Sequence, residues 1–250
     1  MIDIHTHILP GIDDGSNSLE TSLRLLASAE EIGIKAVFAT PHLYFYSRAQ
    51  ELYSTALQRL DQLRQAALQK SLSIQIHLGF EIFLQPNLPD IPDLGRLTLG
   101  QKGEYLLVEL ALGQIPNFVE KTCFDLILGG ITPILAHPER NLVSSSQLSI
   151  LERLVRQGVK LQIEAASLVG QNGPELKKAG QLLLQKELVS FVASDAHNLK
   201  RGFEPMQRAY FWVQRQYGEE KADQLFTENE QKILSSQAVQ THLKFQAGKT

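Results

Sequence analysis

A single cysteine, a single tryptophan and two methionines stand among 250 residues, and the scarcity of thiols sets the first limit. Cys123 has no second cysteine to pair with, so an intrachain disulfide is excluded, which fits a reducing compartment. No apolar run reaches the roughly 18 residues needed to cross a bilayer. No charged n-region followed by an apolar stretch opens the chain. A cytoplasmic location without membrane insertion is the expectation. Neither sign of charge is concentrated: 24 Lys and Arg against 27 Asp and Glu give a net charge of −3. Without a basic stripe there is no electrostatic footprint for nucleic acid, and without an acidic tract there is no case for disorder. Two catalytic devices are also missing. A cysteine phosphatase needs an arginine six residues after its nucleophile, and Gly129 holds that place relative to Cys123. No Gly-x-Ser-x-Gly elbow serves a serine hydrolase. Cys123 lies in an apolar helical pattern and reads as a buried, inert thiol.

What is present is an alternation of short aliphatic runs with longer amphipathic ones. Strands are expected near Ile2–His5, Ala36–Ala39, Ile74–Leu78, Tyr105–Leu110, Pro133–Ala136, Lys160–Ile163 and Ser190–Ala193. Apolar spacing of three and four residues predicts helices over Leu19–Ile32, Ser47–Lys70, Asn117–Leu128, Ser146–Gln157, Pro174–Lys186 and Glu204–Gln216. Seven strand–helix units read as an α/β protein whose parallel sheet closes, or nearly closes, into a barrel. An open doubly wound sheet fits less well, because no glycine-rich phosphate loop follows the first strand. The segment from Pro86 to Gly103 breaks the alternation and reads as an excursion on the active-site side, with a short hairpin around Leu97–Leu99. After about Gly218 the pattern is polar and helical, a helix pair or a partly mobile tail. The length suits one domain spanning 1–250, with 218–250 as a C-terminal helical extension.

Chemistry collects where the expected strands end. Residues i and i+2 of a strand share a side, so His5 and His7 can aim two imidazoles at one point. Later strand ends add Asp14, His42, Glu81, Glu109, His137, Asp195 and His197. In a parallel barrel all strand C-termini open onto one face, so these distant residues would meet. A lone His-x-His is weak, but the joint pattern is not, because charged groups are seldom buried unless paired or coordinating metal. Glu81 and Glu109 continue strongly apolar runs. So many donors exceed the three or four that one catalytic metal takes from protein, which implies two or three cations, with Glu81 able to bridge. Imidazole and carboxylate without thiolate suit Mn, Fe or Zn. Clustered divalent cations lower the pKa of water and clamp phosphoryl oxygens, which points to hydrolysis of phosphate esters by metal-activated hydroxide.

Arg140, three residues past His137, and Arg201, four past His197, are the candidate phosphate-binding catalytic residues, Arg being suited to gripping such oxygens. The aromatic run Tyr44-Phe45-Tyr46 directly follows His42 and could either stack on an aromatic leaving group or cap the core. His77, inside a strand, and His242, in the polar tail, read as structural or exposed.

Four motifs carry a family resemblance: Ile2-Asp-Ile-His5-Thr-His7-Ile-Leu-Pro-Gly-Ile-Asp-Asp14-Gly, Ala-Thr-Pro-His42, Ala-His137-Pro-Glu-Arg140 and Ala-Ser-Asp195-Ala-His197-Asn. They resemble the bacterial CpsB/CapC-type protein tyrosine phosphatases of capsular and exopolysaccharide biosynthesis, within the PHP (polymerase and histidinol phosphatase) superfamily. The resemblance spans Met1 to about Phe211. It implies a distorted seven-stranded barrel holding three divalent metals, often manganese, at the strand C-termini. By the matched motifs, one metal takes His5, His7, Glu81 and Asp195. A second shares Glu81 and adds Glu109 and His137, and a third uses Asp14, His42 and His197. Arg140 matches the family's phosphate-gripping arginine and Arg201 its second arginine. The implied substrate is phosphotyrosine on the tail of a bacterial tyrosine kinase that governs polysaccharide export, and a homo-oligomer is compatible with the resemblance. The chain departs from the pattern after the sixth expected strand, where the family's small polar stretch is replaced by Ile163-Glu164-Ala165-Ala166-Ser167-Leu168. Glu164 there could tune a metal, repel an anion or face away. A small phosphate ester such as histidinol phosphate is the alternative substrate, and a non-catalytic, metal-stabilised module that binds a kinase tail is the alternative class.

Overall fold

The computed structural model describes residues 1–239; His242 and the rest of 240–250 lie outside the described residues. Among them the strands are β1 (Ile2–Thr6), β2 (Ala36–Ala39), β3 (His42–Leu43), β4 (Gln75–Leu78), β5 (Glu81–Phe83), β6 (Tyr105–Glu109), β7 (Thr132–Ala136), β8 (Lys160–Glu164) and β9 (Val189–Ala193). The helices are α1 (Leu19–Glu31), α2 (Ala49–Gln69), α3 (Val119–Leu128), α4 (Ser145–Gln157), α5 (Ala165–Val169), α6 (Pro174–Gln185), α7 (Glu204–Tyr217), α8 (Glu219–Asp223) and α9 (Asn229–Ser235). Local chemistry sets several ends. Ser18 caps α1 by accepting the Thr21 N–H at 3.1 Å. Helix α4 stops at Gly158, whose φ of 110° only glycine adopts freely.

All strand pairs are parallel, in two sheets of order β1-β2-β4 and β3-β5-β6-β7-β8-β9. Strands β3 and β5 were not expected. They continue β2 and β4 past Thr40-Pro41 and Gly79-Phe80, where Pro41 removes a ladder donor. A single parallel bridge, Thr6 to Ala196, links β1 to the chain just beyond β9. The continuous seven-stranded barrel ladder expected from sequence therefore gives way to two parallel sheets that meet at the broken strands and at that bridge.

Alternation along each strand builds two apolar layers. Ile4, Phe38, Leu107, Ile134 and Phe191 pack together as an inner core. Val37, Leu106, Leu135, Leu161, Ile163 and Val192 face the helices in an outer one. The hairpin expected around Leu97–Leu99 does not form. The segment after β5 coils into 3₁₀ turns at Leu88–Asp90, Leu94–Leu97 and Leu99–Gln101, with Gly100 and Gly103 at φ of 67° and 79°. Nor does it stay on the active-site side. A parallel β6 must start at the opposite end of the sheet from where β5 stops, and Lys102 Nζ reaches the Leu234 carbonyl in the last turn of α9.

Among the described residues after Gly218, 219–235 form one helical run, not a helix pair. Helices α8 and α9 are joined through a π turn at Gln224–Glu228, and Leu225, Phe226 and Ile233 are buried. Helix α9 also carries Glu230 into the interior beside Asp3 and the N-terminal amine, with both carboxylate oxygens lacking hydrogen-bond partners. No helix among the described residues is long and apolar enough to cross a membrane.

Candidate metal centre

The aim of His5 and His7 depends on an irregularity in β1. Ile2 pairs with Ala36 of the inner core, yet Thr6 pairs with Ala39 of the outer one. Strict alternation would put Ile2, Ile4 and Thr6 on one side and both histidines on the other. The register slips by one residue between Asp3 and Thr6, and this bulge turns His5 and His7 inward while Ile2 and Ile4 stay inside.

The imidazoles are held in defined tautomers. Gln162 Nε2 donates to the Ile163 carbonyl at 2.9 Å, leaving its Oε1 to accept from His5 Nδ1, also at 2.9 Å. His7 Nδ1 donates to Asp13 Oδ2 at 2.7 Å, and His197 Nδ1 donates to the Asp195 carbonyl at 2.8 Å. Each ring therefore presents the lone pair of Nε2, as metal-binding histidines do when the other nitrogen is anchored. The Nε2 atoms of His5 and His7 stand 3.2 Å apart, and both lie near Glu81 Oε2, at 3.0 and 3.2 Å. His42 Nδ1 approaches the same oxygen at 3.1 Å and Glu109 Oε1 at 3.0 Å.

Three groups of donor atoms emerge: His5, His7, Glu81 and Asp195; His7, Asp14, His42 and His197; and His42, Glu81 and Glu109. Every expected ligand falls in one of them except His137, whose Nε2 instead contacts Glu81 Oε1 at 2.9 Å. The structure thus divides the residues differently from the resemblance, grouping Glu109 with His42 and counting His7 twice. Asp14 is the outlier in burial, with its side chain 67% exposed.

Electrostatics make the cluster unfit to stand by itself. Burial opposes charge on His5, but Glu81 and Asp195 beside it hold its pKa up, at about 9. Burial likewise opposes charge on Glu81 and Asp195, yet the surrounding imidazoles hold both carboxyls well below the usual range. His42 Nδ1, Glu81 Oε2, Glu109 Oε1 and His137 Nδ1 are buried without hydrogen-bond partners. Buried polar atoms are rarely left so. Nitrogen and oxygen donors, unsatisfied and converging on a shared carboxylate, fit divalent cations.

A cleft of about 270 Å³ opens over these donors, also lined by Tyr44, Phe83, Leu112, Arg140 and Arg201. Arg140 Nη2 donates to Glu164 Oε2 at 2.5 Å and to Asp195 Oδ2 at 2.6 Å. Arg201 Nη2 reaches Asp195 Oδ2 at 3.3 Å, but its side chain is 51% exposed. Tyr44 stacks on His42, ring centroids 4.8 Å apart and 24° from parallel, so one aromatic of the run sits at the mouth. Phe45 next to it is 69% exposed. Tyr46 turns the other way and donates to the Phe83 carbonyl at 2.7 Å. Cys123 is buried, its pKa pushed up to about 12 by burial.

Two residues facing the centre escaped sequence reasoning. Asp13 was passed over for its neighbour Asp14, though it sits in the same acidic turn. Gln162 had a usable signal, a polar residue between Leu161 and Ile163 in an otherwise aliphatic strand. Backbone strain was illegible in sequence. His137 and Asp195 both sit at positive φ, 34° and 54°, a conformation costly for such residues and concentrated at functional sites.

Comparison with known proteins matches this geometry to a family. The family model for capsular polysaccharide synthesis, CpsB/CapC, covers residues 1–235. The tyrosine-protein phosphatase YwqE of Bacillus subtilis is 32% identical over 240 residues, 96% of this chain and 93% of that protein. The tyrosine-protein phosphatase CpsB of Streptococcus pneumoniae is 28% identical over 248 residues, 96% of this chain and 100% of that one. Among solved structures, the crystal structures of YwqE and CpsB, described as unique metal-dependent tyrosine phosphatases, include a match with TM-score 0.87 at 32% identity, covering 100% of both chains. The inward histidines, the shared glutamate and the arginines beside them thus lie in a chain that belongs to the CpsB/CapC family of capsular polysaccharide synthesis.

Proposed function

We propose that this chain is a metal-dependent phosphotyrosine-protein phosphatase acting on the tail of a bacterial tyrosine kinase of polysaccharide export, which places it in the cytoplasm. The observation that carries the reading is the convergence of buried donor atoms without partners on Glu81, in the cleft that Arg140 also lines. Family membership and the tyrosine phosphatases similar over nearly the whole chain support it. The seven strand ribbons, counting β2–β3 and β4–β5 as one each, support a distorted barrel of the PHP type.

His5, His7, Glu81 and Asp195 would hold one cation, Glu81, Glu109 and His137 a second, and Asp14, His42 and His197 a third. The nitrogen and oxygen donors suit Mn, with Fe or Zn compatible. Bound there, divalent cations would supply a nucleophile from water near neutral pH and draw charge from the phosphoryl oxygens. The protein's own contribution is placement. Gln162 and Asp13 keep the Nδ1 protons of His5 and His7 pointed outward, so both Nε2 atoms stay available. Arg140 offers its remaining N–H groups to phosphoryl oxygens, a contact that strengthens as charge develops. Arg201 closes the same side from a more exposed position. Tyr44, laid against His42 at the mouth, offers an aromatic face to an aryl leaving group.

The test compares turnover of a phosphotyrosyl peptide and of histidinol phosphate by the purified chain with added Mn²⁺, before and after chelation. Metal-dependent hydrolysis favouring the peptide is expected, with His5→Ala inactive. A preference of orders of magnitude for histidinol phosphate would replace the substrate. Background turnover with every divalent metal, despite metal-raised thermal stability, would leave a binding module.

A further inference from the structure

Glu164 ends β8 and belongs to none of the three donor groups. Leu161 and Ile163 fill the outer core, so alternation sends Gln162 and Glu164 inward. The Glu164 side chain is 4% exposed and its Oε2 accepts from Arg140 Nη2 at 2.5 Å. Ser167 Oγ donates to the same oxygen at 3.4 Å. The Glu164 main-chain N–H donates to Glu139 Oε1 at 3.0 Å, which fixes the strand end.

The backbone of Arg140 is secured without Glu164. Its N–H donates to the His137 carbonyl at 3.0 Å, and its own carbonyl accepts from Gly113 N at 3.2 Å. Asn141 Nδ2 donates to the carbonyls of Ala111 and Gln114 at 2.6 and 2.8 Å. What remains free to move is the long side chain. Two carboxylates hold it, and one of these, Asp195, also sits among the donors around Glu81. Glu164 has no such second duty. Together the two carboxylates take both hydrogens of Nη2, leaving Nη1 and Nε for a ligand in the cleft that Arg140 lines. An unpaired carboxylate this close to a phosphate site would repel a dianion. Paired with Arg140, Glu164 instead costs little repulsion and fixes direction. A buried ion pair is by itself weak evidence for stability, so a role in orientation accounts better for an acid at this position.

We propose that Glu164 is a positioning residue, anchoring Arg140 Nη2 so that Nη1 meets a phosphoryl oxygen of the substrate; this rests on the phosphatase reading. The experiment compares wild type, E164Q, E164A, R140A and the R140A/E164A double variant. Steady-state kinetics use p-nitrophenyl phosphate with Mn²⁺, alongside metal content by elemental analysis and thermal midpoint. E164Q keeps the shape should E164A fail to fold. The expected result is a fall in kcat of about 10- to 100-fold in E164Q, with KM nearly unchanged and metal fully retained. In the R140A background, removing Glu164 should change kcat by no more than about twofold, since the two residues then act as one unit. Wild-type kcat in E164Q would overturn the proposal. So would losses that multiply in the double variant, or metal lost from E164Q, which would make Glu164 a support of the metal ligands instead. An inactive wild type with every divalent metal would refute the phosphatase reading itself, a result distinct from an active wild type with an equally active E164Q.

Discussion

Replacing Asp13 with Asn tests how far the centre depends on a residue outside its donor groups. Asp13 Oδ2 accepts from His7 Nδ1 at 2.7 Å and from the His42 N–H at 3.3 Å, while Oδ1 accepts from the Gly15 N–H at 3.0 Å. An Asn has one acceptor oxygen for these donors. If that oxygen serves Gly15, its amide N–H₂ faces His7 Nδ1, and the ring can accept only by moving its proton to Nε2, where the lone pair is needed. If the amide flips, His7 keeps a weaker neutral partner and the Gly15 N–H is left opposite a donor. Loss of such an anchoring partner typically weakens metal affinity about 10- to 100-fold, or roughly 1.4–2.8 kcal/mol. Competition titration of Mn²⁺ against a chelator should show this shift in D13N. Activity should recover at saturating metal, because no donor has been removed. Metal affinity equal to wild type would refute the tautomer argument. Activity lost at every metal concentration, with metal fully bound, would assign Asp13 to the chemistry instead of to His7.

Three further outcomes are expected. In G15A, the added Cβ would sit 2.1 Å from the His7 carbonyl oxygen and 2.4 Å from its Cβ, so the chain around His7 must shift; overpacking of this kind costs about 1–3 kcal/mol, read as a lower thermal midpoint together with lost metal. Cys123→Ser should keep turnover, and the native thiol should resist alkylation up to pH 9, because burial keeps it protonated until about 12; inactivation by iodoacetamide without unfolding would contradict this. Burial and the nearby Asp3 raise the pKa of Glu230 well above the ordinary range, so its contribution to stability is present in full below the unfolded pKa and is lost as pH rises toward the folded one. E230Q should therefore match wild type in thermal midpoint near pH 4 and exceed it increasingly above that, by up to about 1.4 kcal/mol per pH unit; a constant difference across pH would show that folding leaves the Glu230 pKa unshifted.

Much of this architecture could be read from periodicity, and the exceptions have physical causes. Runs such as Tyr105–Glu109 and Lys160–Glu164 are aliphatic, bounded by turn residues, and buried by helices on one side and an inner core on the other. Strands β3 and β5 have two and three residues, too short to show a period, and they exist only because their neighbours supply ladders. The turns between Pro86 and Gly103 were mistaken for a hairpin because glycine and proline announce a change of direction without saying which. At the centre, residue types sufficed to nominate donors. Their grouping did not follow from type, since which oxygen of Glu81 faces His42 and which faces His137 is fixed by packing. Glu164 could have been turned inward from sequence by counting from Gln162. Its partner Arg140 could not, because that contact spans two loops.

The one-residue slip in β1 has a consequence for how such a centre can arise or be lost. Pattern and composition in the opening strand are the same whether His5 and His7 look into the cleft or into the helical layer, and the difference is a single extra peptide unit opposite Val37 and Ala39. Were the strand regular at its present length, keeping Ile2 and Ile4 inside would turn both imidazoles to the helical layer, whereas loss of Ile4 would set His5 opposite Phe38 and keep both in the cleft. In this protein the capacity to gather cations is thus a property of strand phase as much as of residue type.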